Sequence, residues 1–310
     1  LVIRQALLSL SRQKKIADIS ANAPVTRNVV ARFVAGETEP DAVRAAGELA
    51  GEGLLSTIDH LGEDTLDLSQ ATATVDAYLR LLKGLDEAGL AAAAEVSVKL
   101  SAVGQALPGD GEKIALDHAR MICSSAHDIG TTVTLDMEDH TTTDSTLGIL
   151  AELRGDFPAT GAVLQAYLYR TEQDCRDLAY AGSRIRLCKG AYKEPESVAF
   201  QSKGDVDKSY VRCMRVLFDS ECYPMIASHD PRLIEIAGAL ATRADRAKGT
   251  YEHQLLFGVR PDEQRRLAKA GERVRVYIPY GAEWYGYMVR RMAEKPANLA
   301  LFIKSMTSTS

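Results

Sequence analysis

The sequence predicts an α/β fold, a (β/α)8 TIM-like barrel with an N-terminal helical arm. Three observations predict it. Eight short segments rich in Val, Ile, Leu, Thr or Tyr recur along the chain, as buried parallel strands do. Amphipathic stretches long enough for a crossover helix separate most of them. No G-x-G-x-x-G follows a strand, which disfavours a doubly wound sheet.

Residues 1–50 come first as the arm. Helices are expected over 5–19 and 41–50, with breaks at Ala23-Pro24 and Gly36-Glu37. The barrel follows over 51–304, and 305–310 form a tail. Strands are expected at 54–59, 95–100, 132–136, 163–167, 184–188, 223–227, 250–255 and 274–278. The clearest helices between them are 72–87, 113–129, 143–153, 172–181, 231–244 and 261–270. Pro231 and Pro261 suit first-turn positions, and Asp174 precedes an apolar-periodic run.

The 310 residues are 46 % apolar and 25 % charged, the composition of a soluble globular chain with a sizeable core. A formal net charge of −5 and no polybasic block argue against nucleic acid as a partner. No apolar run reaches the roughly 18 residues of a membrane span. Leu1-Val2-Ile3-Arg4 opens an amphipathic stretch rather than a secretory leader, and the missing initial Met leaves room for residues ahead of Leu1. Five cysteines without a C-x-x-C fit a reducing cytoplasm and structural thiols.

In such a barrel, chemistry gathers at the C-terminal strand ends. The second strand ends at Lys99, which reads as a Schiff-base amine, a fixed cation or a snorkelling lysine. The third leads into Asp136, Met137, Glu138, Asp139 and His140. Those residue types suit a metal, but strand alternation sends Asp136 and Glu138 one way and Asp139 the other, so no metal is expected. Gln165 sits at the fourth end. The fifth delivers Arg186, Lys189, Gly190, Ala191 and Tyr192, where cations and backbone amides suit a phosphate or an electron-rich ring. The sixth carries Ser228-His229-Asp230 and the seventh Tyr251-Glu252-His253-Gln254. The eighth, containing Tyr277, runs into a helix with Arg290, Arg291 and Glu294. That helix is either a solvated face or an anion clamp. Five cations at one rim (Lys99, Arg186, Lys189, Arg290 and Arg291) favour a large anionic cofactor and an anionic substrate.

Seven motifs in this order resemble the proline dehydrogenase family, specifically its monofunctional bacterial type: SVKLSA at 97–102, LDMED at 135–139, QAY at 165–167, RLCKGAY at 186–192, ASHD at 227–230, YEHQLL at 251–256, and YxP…YxVRRxxE over 277–294. The resemblance covers the chain from about Thr26 onward. It implies a distorted (β/α)8 barrel, FAD, and oxidation of L-proline to Δ1-pyrroline-5-carboxylate by hydride transfer from C5 to flavin N5. Arg290 and Arg291 would pair with the proline carboxylate, with Lys99 completing the anion site and Glu294 pairing with the clamp. Tyr277, Tyr192 and Leu256 would pack around the pyrrolidine ring. Asp136 would hydrogen-bond Tyr277, and Arg186 would lie near flavin N5. Gln165, Lys189, Gly190, Ala191, Ser228 and His229 would contact the FAD.

The resemblance also implies a quinone acceptor, hence a cytoplasmic protein that visits the inner face of the cell membrane. It leaves an oligomer open. Lys193 and 203–207 depart from the bifunctional relatives, which carry an aromatic residue and a Thr pair there. Tyr277 points to proline over 4-hydroxyproline. Two other readings compete: a lyase using Lys99 or Lys189 as a Schiff base, and a non-catalytic amino-acid-binding barrel.

Overall fold

The computed structural model describes residues 30–63, 65–285, 287 and 288. Eight parallel strands form one sheet: β1 (Leu55–His60), β2 (Ala94–Val98), β3 (Val133–Leu135), β4 (Ala162–Gln165), β5 (Arg184–Cys188), β6 (Tyr223–Ala227), β7 (Glu252–Leu256) and β8 (Val274–Tyr280). Their order is β3-β2-β1-β8-β7-β6-β5-β4. Two backbone bonds close the ring between β3 and the approach to β4: Leu135 N to Gly161 O at 2.9 Å, and Gly161 N to Val133 O at 2.8 Å. A side chain at Gly161 would block this closure, because its Cβ would fall 2.5 Å from Thr134 Oγ1.

Helix α1 (Glu39–Gly51) precedes the barrel, and α2 (Leu68–Glu87), α3 (Gly111–Asp128), α4 (Thr143–Asp156), α5 (Thr171–Leu178), α6 (Lys203–Phe218), α7 (Pro231–Arg243) and α8 (Pro261–Lys269) follow β1 to β7. Local chemistry starts several of them. Asp67 accepts from Gln70 N, Ser202 from Asp205 N and Asp230 from Arg232 N, each satisfying a first-turn donor. Pro231 and Pro261 occupy the first turns of α7 and α8. The expected strands all form, two of them at the expected bounds and the others within two residues at each end. The helix expected over 5–19 lies outside the described residues.

Two details differ from the sequence expectation. Asp174 does not precede a helix; it lies inside α5, where Arg170 Nε reaches its carboxylate at 2.9 Å. Helix α6 was not among the expected helices, because its charged start reads as a loop until the Ser202 cap is seen.

Strand alternation divides the molecule into two environments. Val96, Val98, Ile58, Val276 and Ile278 are buried with α1–α3 residues such as Ala42, Tyr78, Leu81 and Ile122. Leu164, Leu187 and Ile226 are buried with Tyr210, Met214 and Leu217 of α6. Each such apolar side chain contributes about 1.5–3 kcal/mol by leaving water. Helix α1 joins this core through Ala42, Ala45 and Ala46, which is how the arm residues nearest the barrel pack on it.

The alternate residues point into the barrel, and many are charged. Glu95 on β2 accepts from Arg184 on β5 and lies 3.8 Å from Arg275 on β8 and 3.7 Å from Arg186. Glu252 on β7 takes Arg275 Nε at 2.7 Å. Burial would raise the Glu95 carboxyl, but the three arginines outweigh it and hold the group well below the usual carboxylate range. The lower interior is therefore a fixed layer of paired charge under the site.

Candidate active site

Above that layer, β3, β5 and β8 bring Asp136, Arg186 and Tyr277 together. Arg186 Nη1 donates to Asp136 Oδ1 at 2.7 Å and to Ser97 Oγ at 3.0 Å, and its Nε donates to Gln254 Oε1 at 2.6 Å. The Tyr277 hydroxyl donates to the other Asp136 oxygen at 2.7 Å. Its ring lies 5.3 Å from the Arg186 guanidinium carbon, a cation–π distance. Burial, with the Asp136 and Asp59 charges, pushes the Tyr277 hydroxyl far above its ordinary range, so it donates hydrogen bonds rather than ionising. Arg186 Nη2 is buried and makes no hydrogen bond.

Lys99 follows β2 directly. Its Nζ lies 2.8 and 2.7 Å from the two oxygens of Asp59, at the end of β1. Burial would lower the Lys99 ammonium, but Asp59 and Asp136 outweigh it and hold the proton more tightly than usual. A Schiff-base amine must instead be neutral and nucleophilic. Lys99 is thus a fixed cation with at most two of its three donors used by Asp59. Burial raises the Asp59 carboxyl to about 6 against the pull of Lys99, with the Asp136 charge adding to the rise.

The other predicted residues take separate places on the same rim. β3 stops at Leu135, so strand alternation does not govern the residues after it. Glu138 accepts from Ser101 N at 3.1 Å and Ser101 Oγ at 2.6 Å, and Gln165 Nε2 donates to the Glu138 carbonyl at 2.6 Å. Asp139 caps the turn that follows, through Thr141 N at 2.9 Å. Lys189 Nζ lies 2.5 Å from Asp207 and 3.5 Å from Asp230. His229 Nε2 accepts from Leu256 N at 2.9 Å, tying β6 to β7, and Ser228 Oγ accepts from Asp230 N at 3.1 Å. Ala191 is exposed, while Tyr192 and Leu256 are half-buried. Arg290, Arg291 and Glu294 lie outside the described residues. Among the described residues, no group of three or more His, Cys, Asp or Glu side chains is placed to hold a metal.

Sequence reasoning missed Asp59, Gln254 as a partner of Arg186, and Glu95. The signal for Asp59 was present: Asp59-His60 ends the first strand, the one strand end left out of the rim inventory. Gln254 and Glu95 were visible only as alternate residues of strands, with no spacing to reveal their partners.

Gly190 and Arg186 meet what a bound planar, anionic cofactor needs. Gly190 has φ +108°, and a Cβ there would fall 2.3 Å from the Tyr167 ring, so the backbone itself forms the surface after β5. Arg186 adds a permanent cation on β5, whose Nη2 makes no hydrogen bond and lies 3.7 Å from Glu95 Oε1.

These features define a class: a (β/α)8 barrel whose strand ends gather a buried arginine, a buried lysine and a half-buried tyrosine. Comparison with known proteins narrows it. The sequence model of the proline dehydrogenase family matches residues 42–302. The chain is 38 % identical over 305 residues to the proline dehydrogenase of Deinococcus radiodurans, covering 98 % of this chain and 97 % of that one. It is 37 % identical over 305 residues to proline dehydrogenase 1 of Bacillus subtilis, covering 98 % and 99 %. The crystal structure of proline utilization A from Bdellovibrio bacteriovorus inactivated by N-propargylglycine shares the fold, with a TM-score of 0.80 at 24 % identity. This chain spans 34 % of that one, which covers 92 % of this chain. The chain belongs to the proline dehydrogenase family. It is an oxidoreductase of the first step of proline catabolism, and membership implies a flavin and proline as substrate.

Proposed function

We propose that the chain oxidises L-proline to Δ1-pyrroline-5-carboxylate, using FAD and passing electrons to a quinone. The observation that carries this reading is the Asp136–Arg186–Tyr277 cluster beside the Lys99–Asp59 pair, at the rim where a barrel does chemistry. Lys99, with Arg290 and Arg291, binds the proline carboxylate. Tyr277, Tyr192 and Leu256 bound the pyrrolidine ring and exclude water from it. Asp136 fixes the Tyr277 hydroxyl and Arg186 together, so ring and cation keep one orientation.

Arg186, Gln165, Lys189, Gly190, Ala191, Ser228 and His229 would hold the FAD, which when bound accepts the hydride leaving proline C5. The ring nitrogen loses a proton in the same oxidation, and the C5–N double bond forms. Arg186, permanently charged, stabilises negative charge that arises next to it. Lys189 meets a phosphate only by sharing its charge with Asp207 and Asp230.

Among the described residues, no helix is long and apolar enough to cross a membrane. Any visit to a membrane quinone is therefore proposed as peripheral, at the inner face of the cell membrane, by a cytoplasmic protein. Residues 1–50 are proposed as an arm packed on the catalytic barrel over 51–304, with 305–310 a tail. The test is cofactor content. Protein purified or reconstituted with FAD is expected to retain about one flavin per chain after desalting. Protein that emerges colourless under both conditions overturns the reading.

A further inference from the structure

After β5 the chain makes an excursion over residues 189–200 before α6 begins. Both ends are stitched to the segment after β4: Tyr167 N to Lys189 O at 2.9 Å, Tyr169 N to Val198 O at 3.0 Å and Phe200 N to Tyr167 O at 2.8 Å. Between these ends the excursion faces water; Lys193, Pro195 and Glu196 are exposed. Glu194 stands apart. Its side chain is 2 % exposed. A carboxylate is buried at high cost unless paired. The Tyr167 hydroxyl donates to Glu194 Oε1 at 3.0 Å, His140 N donates to the same oxygen at 2.9 Å, and the His140 ring nitrogen Nδ1 pairs with Oε2. The loops after β3 and β5 and the end of β4 thus meet on one buried carboxylate.

Tyr192 is half-buried and lies two residues before Glu194 on the same excursion. Gly190, two residues before Tyr192, packs against the ring of the same Tyr167, so one side chain holds the chain on both flanks of Tyr192. A general loop anchor needs only the backbone bonds at the two ends. A buried carboxylate on the Tyr167 hydroxyl and a glycine on the Tyr167 ring together fix the residue between them, Tyr192.

We infer that Glu194, through Tyr167 and with His140, is a positioning residue that sets Tyr192 against the substrate ring. The inference rests on the proposed function, in which Tyr192 contacts proline. Tyr167→Phe isolates it, because the ring against Gly190 stays and only the hydroxyl goes. The loss of one such bond is expected to raise the KM for L-proline about fivefold, with kcat within about twofold.

Steady-state kinetics of the flavin-loaded enzyme with an acceptor dye read this split. In a Tyr192→Ala background, Tyr167→Phe is expected to add no further change. Glu194→Gln, which keeps an acceptor oxygen, is expected to lie closer to wild type than Glu194→Ala. If Glu194→Ala fails to fold, the Tyr167→Phe pair of measurements decides alone. A wild-type KM in Tyr167→Phe, or an equal effect with and without Tyr192, overturns the inference while leaving the function intact. Wild-type enzyme that reduces no dye with proline overturns the proposed function, and the reading of Tyr192 with it.

Discussion

The Tyr277 hydroxyl and Asp136 Oδ2 are 2.7 Å apart, and the second oxygen of that carboxylate takes Arg186 Nη1 at 2.7 Å. One side chain from β8 and one from β5 are thereby set by a single acceptor just past β3. Asp136 fixes the orientation of both groups.

The Tyr277→Phe and Asp136→Ala variants follow from this shared acceptor. A hydrogen bond to a charged group is worth about 1.5–3 kcal/mol, so each single variant is expected to lose about tenfold or more in kcat/KM. The double variant should lose far less than the product of the two losses, because both remove the same bond. Steady-state kinetics in a double-mutant cycle check this, and multiplicative losses would separate the two residues.

Asp59 and Lys99 make a different prediction, one about stability. Removing one partner strands a buried charge, so Asp59→Asn or Lys99→Met is expected to cost about 3–5 kcal/mol. The Asp59→Leu/Lys99→Met double variant should be more stable than either single variant. Denaturant unfolding provides the comparison. A double variant as unstable as the sum of the singles would mean the pair is not the reason for their burial.

Glu138 carries the pH dependence. Burial raises its carboxyl from the ordinary 4.5 to about 6, although the Ser101 hydrogen bonds oppose the rise. The folded chain keeps this proton where the unfolded chain has lost it, so stability falls as pH rises from about 4.5 to about 6. At about 1.4 kcal/mol per pKa unit, the penalty at neutral pH is about 2 kcal/mol. Glu138→Gln removes that penalty. Its stability relative to wild type should improve by about 2 kcal/mol between about pH 4 and pH 7. A pH-independent difference would place the titration elsewhere. Asp59 contributes a slope of the same sign in both proteins and cancels in the comparison.

Much of this arrangement was legible as one-dimensional pattern. Strand β6 follows from a dense apolar run, and Pro231 and Pro261 mark the starts of α7 and α8 without help from tertiary structure. Asp136, Arg186 and Tyr277 stand out because polar groups at barrel strand ends are unexpected for packing alone. Partnerships were less legible, since Gln254 and Glu95 reach across the barrel to residues far away in sequence. Glu194 gave no signal because its neighbours are exposed loop residues, and only the fold brings Tyr167 and His140 to it. Helix α6 hid behind a charged first turn whose cap, Ser202, is an ordinary serine until Asp205 N is seen to donate to it.

The central claim is that this barrel moves a hydride from proline to a bound flavin. Anaerobic addition of L-proline to the flavin-loaded protein, followed by visible absorbance, tests it most directly. The visible absorbance band of the oxidised flavin is expected to bleach with L-proline and to persist with an amino acid whose nitrogen lies outside a ring. A flavin that stays oxidised under excess L-proline would contradict the claim.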